Sequence, residues 1–274
     1  MAALDGQVGV VTGGGRGIGR GMALSLAESG MAVVVAGRTQ APLDDVVAEI
    51  SGRGGRALAV PTDVTVPDDV RQLVRATEDA FGPIDLLVNN AGAVEREERP
   101  LWESDLDDLW HVVEVNLRGS LLCAAEVLGG MVERGHGRVV NINSMAAIRH
   151  FNGAYNGYGI AKAGLLRMTL GLAASLERTG VSIFELSPGL VRTDMTDGMP
   201  VWHGVADDEW TPAHLASNAL LTIAEGRCDE LSGRFLHAEE DFADLIEFAD
   251  RITEMDARVL TIRSYGDDDE LFGP

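Results

Sequence analysis

Tyr158 and Lys162 stand four residues apart at the end of the run SMAAIRHFNGAYNGYGIAK, which extends from Ser144 to Lys162. A helix over this end stacks side chains four apart on one face, so a phenol and an ammonium would share a cleft. An isolated tyrosine ionises near about 10 and a lysine near about 10.4, too high for either to exchange protons readily at neutral pH. A positive charge beside a phenol favours phenolate and lowers its pKa toward the working range. Of the 22 basic residues 21 are arginines, and Lys162 is the one lysine. Arginine's rigid fork does not replace a compact ammonium with three rotatable donors, so this exception points to a chemical demand. The competing reading of a lone Y-x-x-x-K is a surface lysine on a helix, and the motifs elsewhere weigh against it.

The elements that must position the pair alternate along the chain. QVGVVT, residues 7 to 12, is a short apolar strand leading into GGGRGIGRGMALSLAESG, a glycine-rich turn and a helix closed by Gly30. Gly13, Gly17 and Gly19 follow Thr12 in the pattern T-G-x3-G-x-G. Such glycines permit a tight turn, close approach of backbone to a pyrophosphate and close helix packing, with the helix N-terminus facing the phosphates. The next strand, MAVVVAGRTQ, ends in Ala36, Gly37 and Arg38. An acid there would take the ribose hydroxyls, whereas an arginine accommodates a 2'-phosphate. With no acid at the turn and Arg16 as a second positive charge, NADP(H) is favoured over NAD(H). The alternative is that Arg38 is a solvated turn residue.

A helix from about Ala41 to Arg53 precedes the strand ALAVPTDV, which sets Asp63 where an adenine amino group could bind. A helix with Pro67 at its start follows, and then IDLLVNNAG, a buried strand ending in Asn89, Asn90, Ala91 and Gly92. These asparagines cap a turn at least as readily as they meet a ligand. From about Leu106 to Met131 the pattern is helical, and Asn116 within it needs hydrogen-bond partners or a reason to disturb the helix. GRVVNINS delivers Ser144 to the C-terminal end of a fifth strand, where parallel sheets bind ligands. After a helix from about Tyr158 to Arg178 comes the sixth strand, VSIFELSPG, and a Pro188-Gly189 turn. Residues 190 to 211, with Met195, Met199, Trp202 and Trp210, read as a mobile lid over an apolar ligand. A helix from about Pro212 to Glu225 and the strand SGRFLHA complete seven strand signals. Strands alternating with five or six helices predict an α/β fold with a parallel sheet covered on both faces, and no linker divides it.

The net charge of −21 weighs against nucleic acid and anionic membranes as partners. From Glu225 onward 15 acidic and 5 basic residues supply about half of that excess. No run approaches the roughly 18 uninterrupted apolar residues of a membrane helix, and the first residues lack a basic segment followed by an apolar one. A cytoplasmic location with no membrane partner is the expectation. Cys123, Cys228 and the six histidines show no ligand spacing, so no metal is expected.

TGGGRGIG, NNAG, Asn116, Ser144, YGIAK and the PG turn running into Val191-Arg192-Thr193 occur in the order found in the short-chain dehydrogenase/reductase (SDR) family. Over roughly residues 5 to 237 the chain resembles that family. The resemblance implies one Rossmann-type domain, residues 1–237, with a doubly wound parallel seven-stranded sheet and a substrate loop at about 190–211. It implies a homo-oligomer, tetramer or dimer, assembled through the helices near 102 to 131 and 158 to 178. It also implies an NAD(P)(H)-dependent oxidoreductase interconverting a ketone or aldehyde with an alcohol, similar to 3-oxoacyl thioester reductases and related alcohol dehydrogenases. Carried over, Tyr158 is the acid or base, Lys162 lowers its pKa and holds the nicotinamide ribose, Ser144 bonds the substrate oxygen, and Asn116 supports a relay water. The implied cofactor contacts are Thr12, Gly13, Gly15, Arg16, Gly17, Ile18, Gly19, Arg38, Asp63, Val64, Asn90, Ala91, Gly92, Tyr158, Lys162, Pro188, Gly189, Val191 and Thr193.

Two departures stand out. Ser144 and Tyr158 are 14 residues apart, one more than the family's usual spacing, and Tyr155 lies nearby. Residue 159 is glycine rather than lysine, which leaves Tyr158 as the candidate. The chain also continues for 37 residues beyond His237. This acidic extension, 238–274, reads as an amphipathic helix and a short strand-like run, a solvated appendage whose DDDELFGP end is disordered. A non-catalytic cofactor sensor or scaffold is the alternative function, opposed by the intact Asn116, Ser144, Tyr158, Lys162 set. The tyrosine-to-lysine spacing disfavours an enoyl reductase and the glycine spacing an extended sugar-nucleotide epimerase. A 3-oxoacyl thioester, a steroid-like ketone and a small cyclic alcohol all remain open as substrates.

Overall fold

Seven apolar runs form the strands β1 (Val8–Thr12), β2 (Ala32–Gly37), β3 (Ala57–Pro61), β4 (Leu86–Asn89), β5 (Gly137–Ile142), β6 (Val181–Ser187) and β7 (Phe235–His237). In the computed structural model, which describes residues 2–149 and 155–262, they pair in one parallel sheet of order β3-β2-β1-β4-β5-β6-β7. The expected seven-stranded, doubly wound sheet is what the chain forms. Successive side chains of a strand point to opposite faces, and the core divides accordingly. Val11, Val35, Val88, Ile142 and Leu186 join one apolar cluster, and Val10, Val34, Leu87, Val139 and Ile183 join another. Burial on both faces is why these runs are apolar throughout rather than alternating.

The crossovers are α1 (Gly17–Glu28), α2 (Gln40–Gly52), α3 (Pro67–Phe81), α4 (Leu106–Val113), α5 (Gly119–Arg134), α6 (Asn156–Leu176), the short α7 (Asp194–Asp197) and α8 (Ala213–Ala224). α1 and α8 cover the first cluster, α3 and α5 the second. The strand order reverses between β1 and β4, so the loops leaving their C-terminal ends diverge and open a crevice between them.

The segment expected to be one helix from Leu106 to Met131 is interrupted by a π turn, Glu114–Arg118, centred on Asn116. Asn116 Nδ2 donates to the carbonyls of Ala93 (2.7 Å) and Val112 (2.8 Å), so this side chain both finds partners and disturbs the helix. By length and apolar composition alone, the continuous helical stretch Leu106–Arg134 matches a membrane span. Its residues Cys123, Ala124, Val127 and Met131 are buried in the second core cluster.

Beyond β7 the expected single helix is two, α9 (Phe242–Glu247) and α10 (Ala249–Glu254), broken at Phe248. The strand-like run after them forms no strand within the described residues. The segment is no solvated appendage: Leu245 and Ala249 are buried in the first core cluster. Arg234 pairs with Asp256 (2.9 Å), Arg258 pairs with Glu240 (2.5 Å), and the Arg258 carbonyl accepts from the Phe235 amide (2.9 Å). The extension therefore covers the free edge of β7, satisfying backbone that an open edge would leave bare. The DDDELFGP end lies outside the described residues.

Candidate active site

The crevice at the strand ends holds two adjoining cavities. The first, about 400 Å³, runs from the glycine loop after β1 past Arg38 and Asp63 to Asn116, Tyr158 and Lys162. The second, about 540 Å³, is lined by Ser144, Tyr155, Tyr158, Met195, Met199 and Trp202. Tyr158 and its neighbour across the wall, Asn143, line both.

The first cavity owes its shape to missing side chains. A Cβ on Gly19 would collide with Asn90 Nδ2 and the Gly13 carbonyl, and one on Gly13 (φ 64°) would stand 2.8 Å from Asn90 Nδ2. Asn90 Nδ2 donates to the carbonyls of Thr12 (2.9 Å) and Gly13 (3.1 Å), fastening the glycine loop to the end of β4. Thr12, expected to contact the cofactor, is buried behind the wall. Its hydroxyl accepts from the amides of Asn90 and Ala91 (both 3.0 Å), so it ties β1 to β4 instead. Gly13, Gly15, Arg16, Gly17, Ile18, Gly19, Arg38, Asp63, Val64, Asn90, Ala91, Gly92, Pro188 and Thr193 all line this cavity. Gly189 and Val191 line the second cavity, not the first. A glycine-rich loop opening onto the N-terminus of α1, with an elongated cleft beyond, fits a dinucleotide: backbone amides can face a pyrophosphate there.

At the far end of that cleft Asp63 accepts from the amide (2.9 Å) and hydroxyl (2.7 Å) of Thr65. Burial pushes its carboxyl up, but the Thr65 bonds and the charges of Arg38 and His111 outweigh this and hold it below the usual carboxylate range. Arg16, at the mouth, pairs with Asp194 of α7 (2.9 Å), both largely exposed.

Where the two cavities meet, Ser144 caps a short turn after β5, its hydroxyl accepting from the Ala146 amide (3.1 Å) and acting on the Tyr158 phenol. Lys162 is buried, its ammonium 5.4 Å from the centre of the Tyr158 ring and donating to the Ile142 carbonyl (2.7 Å). The expected lowering of the tyrosine pKa is not found. Burial pushes the phenol up, the Ser144 bond pulls it down, and the Glu95 carboxylate pushes it further up. The lysine stands over the ring and bonds a backbone carbonyl, so its charge is not directed at the phenol oxygen. Burial lowers the Lys162 ammonium to about 8, opposed by the negative charge of Glu185.

Three residues of this region went unremarked in the sequence. Glu95, on the loop after β4, is buried and accepts from the amides of Gly157 (2.5 Å) and Tyr158, holding the first turn of α6. A carboxylate at a helix N-terminus meets free amides and a favourable dipole there. Asn143 and Glu185 lie beneath Lys162, and the alternating asparagines of NINS and a lone acid inside VSIFELS are the signals that mark them. Asn116 lines the first cavity, and its Oδ1 is buried without a hydrogen-bond partner, against Gly92. Of the four large lid residues, Met195, Met199 and Trp202 reach the second cavity, while Trp210 packs under the Arg192 guanidinium, 4.9 Å from its ring centre.

A parallel sheet with a glycine cradle at its switch point and a serine, tyrosine and lysine beside it defines a class of nicotinamide-dependent oxidoreductases, and the comparisons with known proteins agree. Residues 7–203 match the short chain dehydrogenase family. The chain is 42% identical over 200 residues to a 3-oxoacyl-[acyl-carrier-protein] reductase from Synechocystis sp., covering 73% of this chain and 80% of that relative. It is 41% identical over 200 residues to the (2S)-[(R)-hydroxy(phenyl)methyl]succinyl-CoA dehydrogenase subunit BbsD of Thauera aromatica, covering 72% and 78%. Among solved structures, a short-chain type dehydrogenase/reductase from Mycobacterium marinum superposes with a TM-score of 0.80 at 27% identity, covering 85% of this chain and 94% of that one. A 7α-hydroxysteroid dehydrogenase complexed with NADH and 7-oxo glycochenodeoxycholic acid superposes with a TM-score of 0.78 at 26% identity, covering 85% and 93%. The chain belongs to the short chain dehydrogenase family and is an NAD(P)(H)-dependent oxidoreductase that interconverts alcohol and carbonyl by hydride transfer.

Proposed function

We propose that the protein reduces a ketone at the expense of NADPH, with Tyr158 as the proton donor, on a substrate with an apolar body of the 3-oxoacyl thioester kind. The observation that carries this is the position of Tyr158 in the wall common to both cavities, with Ser144 lining the second. The first cavity, from the glycine loop to Tyr158 and Lys162, would hold a nicotinamide dinucleotide, which would supply the hydride for the carbonyl carbon. The substrate oxygen, entering from the second cavity, accepts from the hydroxyls of Ser144 and Tyr158. As negative charge grows on that oxygen, these preorganised donors stabilise it and the Tyr158 proton passes to it. The Lys162 ammonium, over the Tyr158 ring rather than at its oxygen, supplies the nearby positive charge as phenolate forms. Asn116, which lines the first cavity beside Tyr158, supports a water through which the phenol regains its proton.

Arg38 at the end of β2, with no acid beside it on that turn, and Arg16 on the glycine loop support a 2'-phosphate at the adenosine end. Met195, Met199 and Trp202 support an apolar substrate body. The family resemblance supports a homo-oligomer, and the net charge of −21 weighs against nucleic acid and anionic membranes as partners.

The test is a fluorescence titration of the protein with NADPH and NADH, followed by a panel of 3-oxoacyl thioesters, steroid ketones and cyclic ketones monitored at the nicotinamide absorbance. Tighter NADPH binding and turnover of the thioesters are expected. Tighter NADH binding would overturn the cofactor preference alone, and binding without turnover across the panel would favour a sensor.

A further inference from the structure

Strand β6 is apolar but for Glu185 and its two serines, and Glu185 is completely buried. Its carboxylate is held from three elements. Asn141 Nδ2 of β5 donates to Oε1 (2.9 Å), Asn143 Nδ2 from the end of β5 donates to Oε2, and the Thr169 hydroxyl of α6 donates to Oε1. A neutral packing role would need one polar partner; a buried acid met by three donors is arranged for a charge.

The charge it faces is Lys162. The two side chains do not touch, because the ammonium donates to the Ile142 carbonyl, but each acts electrostatically on the other. Asn143 joins them structurally. While its Nδ2 donates to Glu185, that same nitrogen donates to the Lys162 carbonyl (3.1 Å), and its Oδ1 accepts from the Ser144 amide (2.7 Å). One side chain thus connects the buried acid to the backbones of two catalytic candidates.

We propose that Glu185 is the buried counter-ion of Lys162 and, through Asn143, a positioning residue that fixes Lys162 relative to Ser144 and Tyr158. The proposal rests on the reading of Tyr158 and Lys162 as the reacting pair. Tyr158 on the same helix and Glu185 from β6 are the titratable groups facing Lys162. Glu95, from the loop after β4, acts on Tyr158; His111, Glu114 and Arg118, on the helical layer beside α6, exert no resolved effect on Lys162. Burial pushes the Glu185 carboxyl up to about 7 against the pull of its three donors and of Lys162, so the acid and the ammonium titrate as a coupled pair.

Because Lys162 is the chain's one lysine, protein grown on lysine labelled with ¹³C at Cε gives a single resonance that reports its protonation without any substrate. In the wild type the lysine midpoint is expected near 8. In Glu185→Gln, with the attracting charge removed, it should fall by about one pH unit or more, and Glu185→Asp should bring it part of the way back. An unchanged midpoint in Glu185→Gln would overturn the counter-ion assignment. Should the variants fail to fold, the wild-type titration decides. A second inflection of the Lys162 signal near pH 7, from the carboxylate, supports the pair, and a single inflection overturns it. Turnover of Tyr158→Phe tests the catalytic reading separately, so the failure of one is distinguishable from the failure of the other.

Discussion

The two halves of the crevice are built by opposite means. On the β1–β4 side, space is made by omission: Gly13 and Gly19 leave room for Asn90 to clasp the loop, and what faces the ligand is largely backbone. On the β5–β6 side it is made by addition: Asn141, Asn143, Thr169, Lys162 and Glu185 fill what would otherwise be apolar core with hydrogen-bonded polar groups. A nucleotide's phosphates present the same anion to any family member, so amides and a helix end suffice. A proton transfer needs charges whose positions and pKa values are set, and that takes buried side chains. Steric change should therefore break the first half and change of charge the second.

Tyr158→Phe puts the sharpest test on the catalytic half. It removes the proton donor and keeps the ring that packs over Lys162, so turnover should fall by roughly a thousandfold, within the range for losing a general acid. NADPH affinity, read by fluorescence, should be nearly unchanged. Turnover within about tenfold of wild type would break the assignment. In the cofactor half the corresponding change is Gly19→Ala, whose added methyl meets Asn90 Nδ2 and the Gly13 carbonyl. Overpacking of this sort costs about 1–3 kcal/mol, so calorimetry should show a lower Tm and the NADPH titration a weakened complex. Gly52→Ala, at the end of α2 with open space around it, is the control: it should leave binding alone and raise the Tm slightly.

These contrasts bear on what could be read from the sequence. The glycine half was legible almost completely, because a pattern of absent side chains is a local feature and the turn it permits is local too. The exception is Thr12, whose hydroxyl faces Asn90 and Ala91 across the sheet, a partnership that depends on β1 lying beside β4. The catalytic half was legible for Tyr158, Lys162 and Ser144 through their spacing. The direction of the tyrosine shift was not, since it depends on burial and on Glu95, whose contact with Tyr158 spans 63 residues. Glu185 and Asn143 likewise acquire a meaning only once β5 and β6 pair in register, Asn141 beside Glu185. The break of the C-terminal helix at Phe248 escaped the pattern because apolar residues continue at helical spacing through it, Leu245 and Ala249 both reaching the core.

A pH profile separates the halves with a smaller effect. Lys162 has its proton affinity lowered to about 8, so the ammonium that supports phenolate is present below that pH and lost above it. Carbonyl reduction should decline as pH rises through about 8, while NADPH binding, set on the phosphate side by the glycine loop, Arg16 and Arg38, should hold further into the alkaline range. Parallel loss of both would mean that Lys162 bears on cofactor binding as much as on proton transfer.

The smallest expected effect lies where the halves touch. Arg16 of the glycine loop reaches over the mouth of the cleft to Asp194 on α7, and both side chains are about three-quarters exposed, so the pair is screened by water and salt. If Arg16 also serves a 2'-phosphate, Asp194 competes for it, and a bound NADPH must draw the guanidinium away or share it. Asp194→Asn removes the competitor without removing volume. NADPH should then bind tighter by less than about fivefold, the scale of an exposed ion pair, and the gain should shrink as salt is raised. NADH, which lacks the phosphate, should bind as before. A gain shared equally by NADH would assign Arg16 to the pyrophosphate, common to both nucleotides, and leave recognition of the 2'-phosphate to Arg38 alone.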